Sequence, residues 1–215
     1  MLIKILEGLY GFIWQDYRQN NCNAYLIDDG KKILIDPGHK HLFGHVVSGL
    51  DTLKIDLKDI DLVVITHGHP DHMEAITAFR NSTQFTMSEI DFQYIKELAG
   101  SFYKIPEPDF FLKPGDLTVG SLQFQVISTP GHTPGSICLY WPEHEVLFTG
   151  DVVFDQGIGR TDLPGGSSSE LKESILKIQK LPVQYLLTGH GNIVTGKQAV
   201  QENFSTVENY WFRYL

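Results

Sequence analysis

Three imidazoles and a carboxylate fall within six consecutive positions of this chain, in the stretch Thr66-His67-Gly68-His69-Pro70-Asp71-His72. Neutral imidazole nitrogens and ionised carboxylate oxygens are ligands for borderline divalent cations, and the Gly and Pro between them mark a turn. In extended backbone alternate side chains point the same way, so His67 and His69 aim at one point. Pro70 suits the first position of a helix, which leaves Asp71 and His72 on its opening turn, facing a second point near the first. Three further turns end or interrupt apolar runs with a ligand type flanked by small residues: Ser128-Thr129-Pro130-Gly131-His132, Phe148-Thr149-Gly150-Asp151 and Leu187-Thr188-Gly189-His190-Gly191. Glycine beside a ligand lets the backbone turn sharply and leaves space for an ion and a substrate. The inventory is five histidines and two aspartates. A structural zinc site closes on four ligands, often cysteine. Seven nitrogen and oxygen ligands without cysteine suit two divalent cations with one carboxylate bridging. Zinc is the expected ion, with iron and manganese as alternatives, because imidazole and carboxylate serve all three. Two such cations acidify a water toward neutrality and polarise a carbonyl, so the expected chemistry is hydrolysis of a small-molecule substrate, with Asp71 and Asp151 orienting the water and no serine or cysteine nucleophile.

The ligands need elements to hold them. Leu62-Val63-Val64-Ile65 is a continuous apolar run of the kind that fits a buried parallel strand. Met73, Ile76, Ala78 and Phe79 recur at near-helical spacing, which makes the first stretch a strand-to-helix turn. Upstream, strands are expected over 2–6, 9–14, 22–27 and 33–35, with a turn at Asp28-Asp29-Gly30, as an antiparallel, hairpin-like opening. It ends at Asp36-Pro37-Gly38, a turn with an acid at its lip. A helix over 41–50 follows. After the histidine stretch come a strand over 83–87 and a helix over 88–99 with Ser88 as its N-cap. Residues 101–114 are proline-rich and read as an irregular junction between two halves. The second half repeats the style of the first, with strands over 117–119, 122–128, 136–140 and 146–149. A glycine-rich loop over 155–169, a helix over 170–180, a strand over 185–188 and a helix from 197 complete it. Strand blocks with helices interspersed in both halves predict an α/β (α+β) fold: an αββα sandwich of two mixed sheets with outer helices, built by residues 1–215 as one domain.

Composition narrows the partners. The chain has 215 residues, 42% hydrophobic and 20% charged, as in an ordinary globular protein. A net charge of −9 argues against nucleic acid or an anionic membrane surface, since both need a basic footprint. No stretch approaches the roughly 18 apolar residues of a membrane helix, and Lys4 and Glu7 interrupt any signal-peptide core. Cys22 and Cys138 lie in separate strands, read as small buried hydrophobes, and fit a reducing cytoplasm. His39, His41 and His45 cluster after Asp36, and His41 and His45 would share a helix face; they read as ordinary surface histidines with occasional adventitious metal, a third metal site being the alternative, and His39 would line a cleft mouth. His144 falls in a hairpin turn, where solvation is expected. The aromatic run over 209–215 is expected to pack on the domain or on a second subunit, which admits a homodimer, with a wall of the substrate site as the lesser alternative.

With His132, Asp151 and His190 following in that order, the H-x-H-x-D-H stretch resembles the metallo-β-lactamase-fold superfamily over essentially the whole chain. The resemblance implies that His67, His69 and His132 hold one metal, that Asp71, His72 and His190 hold a second, and that Asp151 bridges them. Asp36 matches the family's acid that holds a ligand histidine from behind, a sensible role because such rings need an acceptor to set their tautomer. A plain Asp-Pro-Gly turn is the alternative. Several branches are set aside. β-Lactam hydrolases of the commonest class carry Cys where Asp151 stands, diiron flavoproteins usually carry Glu where His69 stands and add a flavin domain, and RNA-processing branches usually have large insertions or basic surfaces. What remains looks like the glyoxalase II and persulfide dioxygenase neighbourhood. Gly150-Asp151-Val152-Val153-Phe154, followed by Gly157-Ile158-Gly159-Arg160-Thr161-Asp162-Leu163-Pro164-Gly165-Gly166, is similar to the compact bacterial and archaeal glyoxalase II-like hydrolases. That resemblance implies a thioester substrate of the hydroxyacylglutathione kind, with a lactone next. A mononuclear iron persulfide dioxygenase shares the ligand skeleton and is the rival; a binding domain without catalysis would not need every ligand. Arg160 and Asp162 either pair to brace their loop or meet a substrate carboxylate. Full-length glyoxalase II draws much of its glutathione site from a C-terminal helical domain, whereas about twenty-five residues follow His190 here, enough for one helix.

Overall fold

Short apolar strands joined by tight turns open the chain. β1 (Leu2–Leu6), β2 (Leu9–Phe12), β3 (Ala24–Asp29) and β4 (Lys31–Ile35) pair antiparallel in sequence order. The computed structural model describes residues 1–79, 83–99 and 105–215. The chain divides into two units, Met1–Leu112 with Val119–Leu122, and Lys113–Thr118 with Gln123–Leu215.

In the first unit, α1 (Gly44–Leu53) leads to β5 (Leu62–Val64), which lies parallel to β4; α2 (Pro70–Met73) follows it. β6 (Gln84–Ser88), α3 (Glu89–Ala99) and β7 (Phe110–Leu112) extend the sheet in parallel to seven strands, in the order β1 to β7. All three β5 side chains are buried, which explains why this strand reads as an unbroken apolar run. Its Val63 joins Phe12, Leu26, Leu34, Leu50 and Met87 in the core, each burial contributing roughly 1.5–3 kcal/mol. Ser88 caps α3 as its sequence predicts, its hydroxyl accepting the Asp91 N–H at 3.2 Å.

The second unit holds β8 (Gly115–Val119) and β9 (Leu122–Ser128), apart from Val119 and Leu122 at their joining turn, then β10 (Ile137–Trp141), β11 (Val146–Gly150), the small hairpin β12 (Val153–Phe154) and β13 (Gly157–Ile158), α4 (Ser168–Ile178), β14 (Tyr185–Thr188), β15 (Val194–Thr195) and α5 (Lys197–Trp211). Its main sheet has six strands in the order β15-β14-β11-β10-β9-β8, with β14 parallel to β11 and antiparallel pairs at β9–β10, β10–β11 and β14–β15. Ser167 caps α4 by accepting the Glu170 N–H, and Leu171, Ile175 and Ile178 bury one face at i, i+4 and i+7. Two mixed sheets and five α-helices among the described residues match the predicted fold class.

Three local readings change. Lys40–Leu42 is a 3-10 turn and α1 begins at Gly44, so His41 and His45 do not share a helix face. His45 instead donates from Nδ1 to the Leu42 carbonyl at 2.9 Å and meets Trp14 edge-on. Within the supposed irregular junction, residues 101–104 lie outside the described residues, while Phe110–Leu112 is a strand registered on β6, Thr86 opposite Phe110. Three residues hemmed by Pro108 and Pro114 are too few to show a period. His144 packs edge-on against Trp141 rather than standing in solvent.

Candidate metal centre

In the first unit β4 and β5 are parallel with Ile35 opposite Val64, so Asp36 and the Thr66–His72 stretch leave the sheet side by side. This is the carboxyl edge, where α/β sheets place their ligands. Asp36 is buried at φ +50°, a left-handed conformation that Asp tolerates better than most residues. Its Oδ1 accepts the Thr66 N–H at 2.8 Å, and its Oδ2 accepts the Thr66 hydroxyl at 2.6 Å and His72 Nδ1 at 2.8 Å. A carboxylate only accepts, so His72 carries its proton on Nδ1 and keeps the Nε2 lone pair for a cation. Thr66 has given its one proton to Asp36 and therefore accepts from His67 Nδ1, 3.1 Å away, which leaves His67 Nε2 unprotonated as well. That Nε2 lies 3.1 Å from His69 Nδ1. Two ligands held about 2.0–2.1 Å from one tetrahedral ion stand roughly 3.3 Å apart, so the spacing fits a shared cation. Asp71 is buried, with Oδ2 accepting from Asn20 Nδ2 at 2.7 Å. The turn is pinned from α3, where the buried Asp91 accepts the Gly68 N–H at 2.6 Å. A Cβ at Gly68 would overlap the Ile95 side chain, which packs directly on this glycine and would have to shift to admit one.

The second unit repeats the device. β9, β11 and β14 run in one direction, so the turns after Ser128, Gly150 and Thr188 open at one edge of their sheet. His132 Nδ1 donates to the Arg160 carbonyl at 2.7 Å, which leaves its Nε2 as the ligand atom. Asp151 Oδ2 lies 3.5 Å from that Nε2 and 3.4 Å from His190 Nε2. Both distances exceed a good hydrogen bond and fit ligands gathered round a cation. One carboxylate oxygen facing imidazoles from two different strands is the placement a bridging ligand needs. A Cβ at Gly189 would overlap Asp151 Oδ1, so the residue before His190 has to be glycine. Each unit's donor set is thus nitrogen and oxygen, oriented from behind, and fits divalent zinc, iron or manganese.

The Arg160 guanidinium grips Asp162 with two hydrogen bonds of 2.9 and 2.8 Å at the surface, the bracing arrangement, and holds the Asp162 carboxyl down to about 2. The part of Arg160 that reaches the centre is its carbonyl, on His132. No side-chain reading can find that. Thr66, Asn20 and Asp91 were also missed; the amide-rich run Gln19-Asn20-Asn21-Cys22-Asn23 was the available sign for one of them. Cys22 and Cys138 are buried as expected, and burial pushes the Cys138 thiol up to about 12, so it stays protonated. The terminal aromatics divide. Trp211 donates to the Gln156 carbonyl at 2.8 Å and packs on the second unit's core with Phe212 and Leu215. Tyr210 and Tyr214 remain exposed around Arg213. Beside His69 lies a groove of about 330 Å³ walled by Pro70, Met73, Tyr94, Ile95 and Leu98. No helix among the described residues is long and apolar enough to cross a membrane.

Residues 17–190 match the sequence profile of the Metallo-beta-lactamase superfamily. The chain is 32% identical over 201 residues to the hydroxyacylglutathione hydrolase GloC of Haemophilus influenzae, covering 86% of this chain and 92% of that protein. Among solved structures it is similar to the BLEG-1 B3 metallo-beta-lactamase, with a TM-score of 0.71 and 31% identity over 88% of this chain and 92% of the other. It is also similar to TTHA1623 in a di-iron-bound form, with a TM-score of 0.68 and 29% identity over 81% and 89%.

Proposed function

The chain belongs to the metallo-β-lactamase superfamily as a metal-dependent hydrolase, and from that premise we propose that it cleaves a thioester with a water activated between two divalent cations. His67, His69 and His132 would hold one ion, Asp71, His72 and His190 the other, with Asp151 bridging and residues 1–215 acting as one domain. The observation that carries this reading is the Asp151 carboxylate set between His132 Nε2 and His190 Nε2 at 3.5 and 3.4 Å. Zinc is the first choice of ion, and the di-iron form of a similar structure supports iron as the second. Bound cations supply an acidified water and a Lewis acid for the carbonyl oxygen. Asp71, held by Asn20, would accept a hydrogen bond from such a water and orient it toward the thioester carbon. In that reaction the water oxygen would bond to carbon as the carbon–sulfur bond breaks, and the thiolate would take up the proton the water gives away. Asp36 and the Arg160 carbonyl, by accepting from Nδ1, turn the Nε2 sides of His72 and His132 toward the place where the cations would sit. The apolar groove beside His69 suits the acyl side of the substrate. The relative named for hydroxyacylglutathione supports a thioester.

The likeness to a B3 metallo-beta-lactamase favours a second reading, cleavage of a β-lactam amide. Asp151 argues only against the cysteine-bearing class of such enzymes. Zinc-loaded and iron-loaded protein, assayed without dioxygen against thioesters, lactones and β-lactams, tests both. Thiol release that survives anaerobiosis, with two metals per chain, is the expected result. Faster β-lactam than thioester turnover establishes the second reading. Dioxygen consumption on adding glutathione persulfide to the iron form, with no thioester turnover in any metal form, overturns hydrolysis.

A further inference from the structure

Away from the ligands assigned above, one more set of metal-binding side chains converges among the described residues: His39, His41 and Glu74, whose ligand atoms all lie within 4.8 Å of one another. Glu74 Oε2 is 3.0 Å from His39 Nδ1 and 3.9 Å from His41 Nδ1, and the two rings stand 5.0 Å apart. A hydrogen bond accounts for the first distance. It does not account for a second imidazole turned toward the same oxygen beyond hydrogen-bond reach. Two nitrogens and one carboxylate oxygen gathered within 4.8 Å of one another can share one ion, since zinc-class bonds to nitrogen and oxygen are about 2.0–2.2 Å long. His41 is mostly exposed, so a small rotation of its side chain completes the fit.

The backbone holds the other two ligands in place. The Lys40 N–H donates to Glu74 Oε2 at 3.1 Å, and the His39 N–H donates to Asn21 Oδ1 at 2.8 Å. Donors to a carboxylate and fixed ring positions are what the surroundings of a metal site supply. Its location gives it a role. The Gly38 N–H donates to the His72 carbonyl at 3.0 Å, and the Ala75 N–H donates to the Gly38 carbonyl at 2.8 Å. These two bonds tie the Asp36-Pro37-Gly38 turn to the segment bearing Asp71, His72 and Glu74. His39 and His41 sit just beyond one end of that tie, and Glu74 lies on the other.

We propose that His39, His41 and Glu74 bind a further divalent cation of the zinc class, with water completing its shell, as a clip that fastens the Asp36 turn to the segment carrying Asp71 and His72. The ion takes no part in bond breaking. Its site lies wholly in the first unit and is countable whether or not the central residues take two ions.

The test uses the full chain, stripped of metal and titrated with zinc alone. Bound zinc is counted after gel filtration, and melting is followed in parallel. Wild type is expected to retain one zinc per chain more than His41→Ala, and that zinc should raise the melting temperature of wild type alone, because a ligand that binds only the folded state stabilises it. Cobalt(II) in place of zinc should give one extra equivalent of visible absorption that His41→Ala lacks. Glu74→Gln should behave as His41→Ala does; His41→Ala, at an exposed position, keeps the test decisive if Glu74→Gln folds poorly. Equal zinc counts in wild type and His41→Ala overturn the proposal, as does an extra equivalent that gel filtration removes. Thioester turnover does not enter the count, so failure of the hydrolase reading would appear separately, as absent turnover in protein whose zinc difference persists.

Discussion

Asp36→Asn is the most informative single change, because it alters charge and proton direction while keeping size and backbone habit. Asn tolerates the left-handed φ of +50° at this position, whereas Ala would add about 1 kcal/mol or more of backbone strain. The carboxylate accepts three hydrogen bonds, from Thr66 N–H, Thr66 hydroxyl and His72 Nδ1. The amide can keep the first through its oxygen, but its NH2 then faces two donors. The Thr66 hydroxyl can rotate to accept, whereas His72 must move its proton to Nε2, the nitrogen needed by a metal. Hydrogen bonds to charged groups contribute about 1.5–3 kcal/mol each, so after the hydroxyl turns a net loss of about 2 kcal/mol is expected. In a chain of this size that lowers the melting temperature by roughly 4–8 °C. Removing a partner that orients a ligand typically costs about 10–100-fold in metal affinity. Melts of the metal-free protein and zinc titration against a competing chelator measure the two effects separately. Wild-type zinc affinity together with an unchanged melt would refute the reasoning and return Asp36 to an ordinary turn residue.

Gly189→Ala drives a methyl group into Asp151 Oδ1 and should lower both bound metal and turnover by at least about tenfold; metal content at the wild-type level would count against the bridging placement. Arg160→Ala should leave metal content and kcat near wild type, because His132 is held by the residue 160 carbonyl and the surface pair with Asp162 is screened by solvent; a selective rise in KM for acidic substrates would instead assign the side chain to substrate binding. Leu98→Glu puts a charge on the exposed wall of the groove beside His69. It should raise KM for apolar acyl thioesters about tenfold without moving the melting temperature, and an unchanged KM would place the acyl group elsewhere. Burial, partly offset by the Leu42 carbonyl, holds His45 below its ordinary 6.5. The unfolded chain therefore takes up this proton first as pH falls, so the contribution of His45 is complete above pH 6.5 and is lost progressively below it. The melting-temperature difference between metal-free wild type and His45→Asn should change across that range, and a flat difference would show that His45 is not a titrating contributor.

Residue type and local punctuation made the candidate ligand residues, and the elements that carry them, legible in the sequence alone. His67, His69, Asp71 and His72 stand between an unbroken apolar run and a proline suited to helix entry, and strand and turn signals of this kind act over a few residues. The same holds for the Ser88 cap, for β9 and for the opening hairpins, where period and turn chemistry agree. The tertiary structure alone decided which atoms hold which rings. Asp36 meets His72 across 36 positions, Asn20 meets Asp71 across 51, and the Arg160 carbonyl meets His132 across 28. The first of these follows from the parallel register of β4 on β5, as the meeting of His190 with Asp151 follows from β14 on β11: parallel pairing brings carboxyl ends together whatever lies between them in the chain. A carbonyl has no residue-specific signature, and a three-residue strand such as Phe110–Leu112 has no period. That His41 and not His45 lies toward Glu74 turned on where a 3-10 turn gave way to an α-helix, a boundary at which Phe43 offers no side-chain cap for the sequence to show.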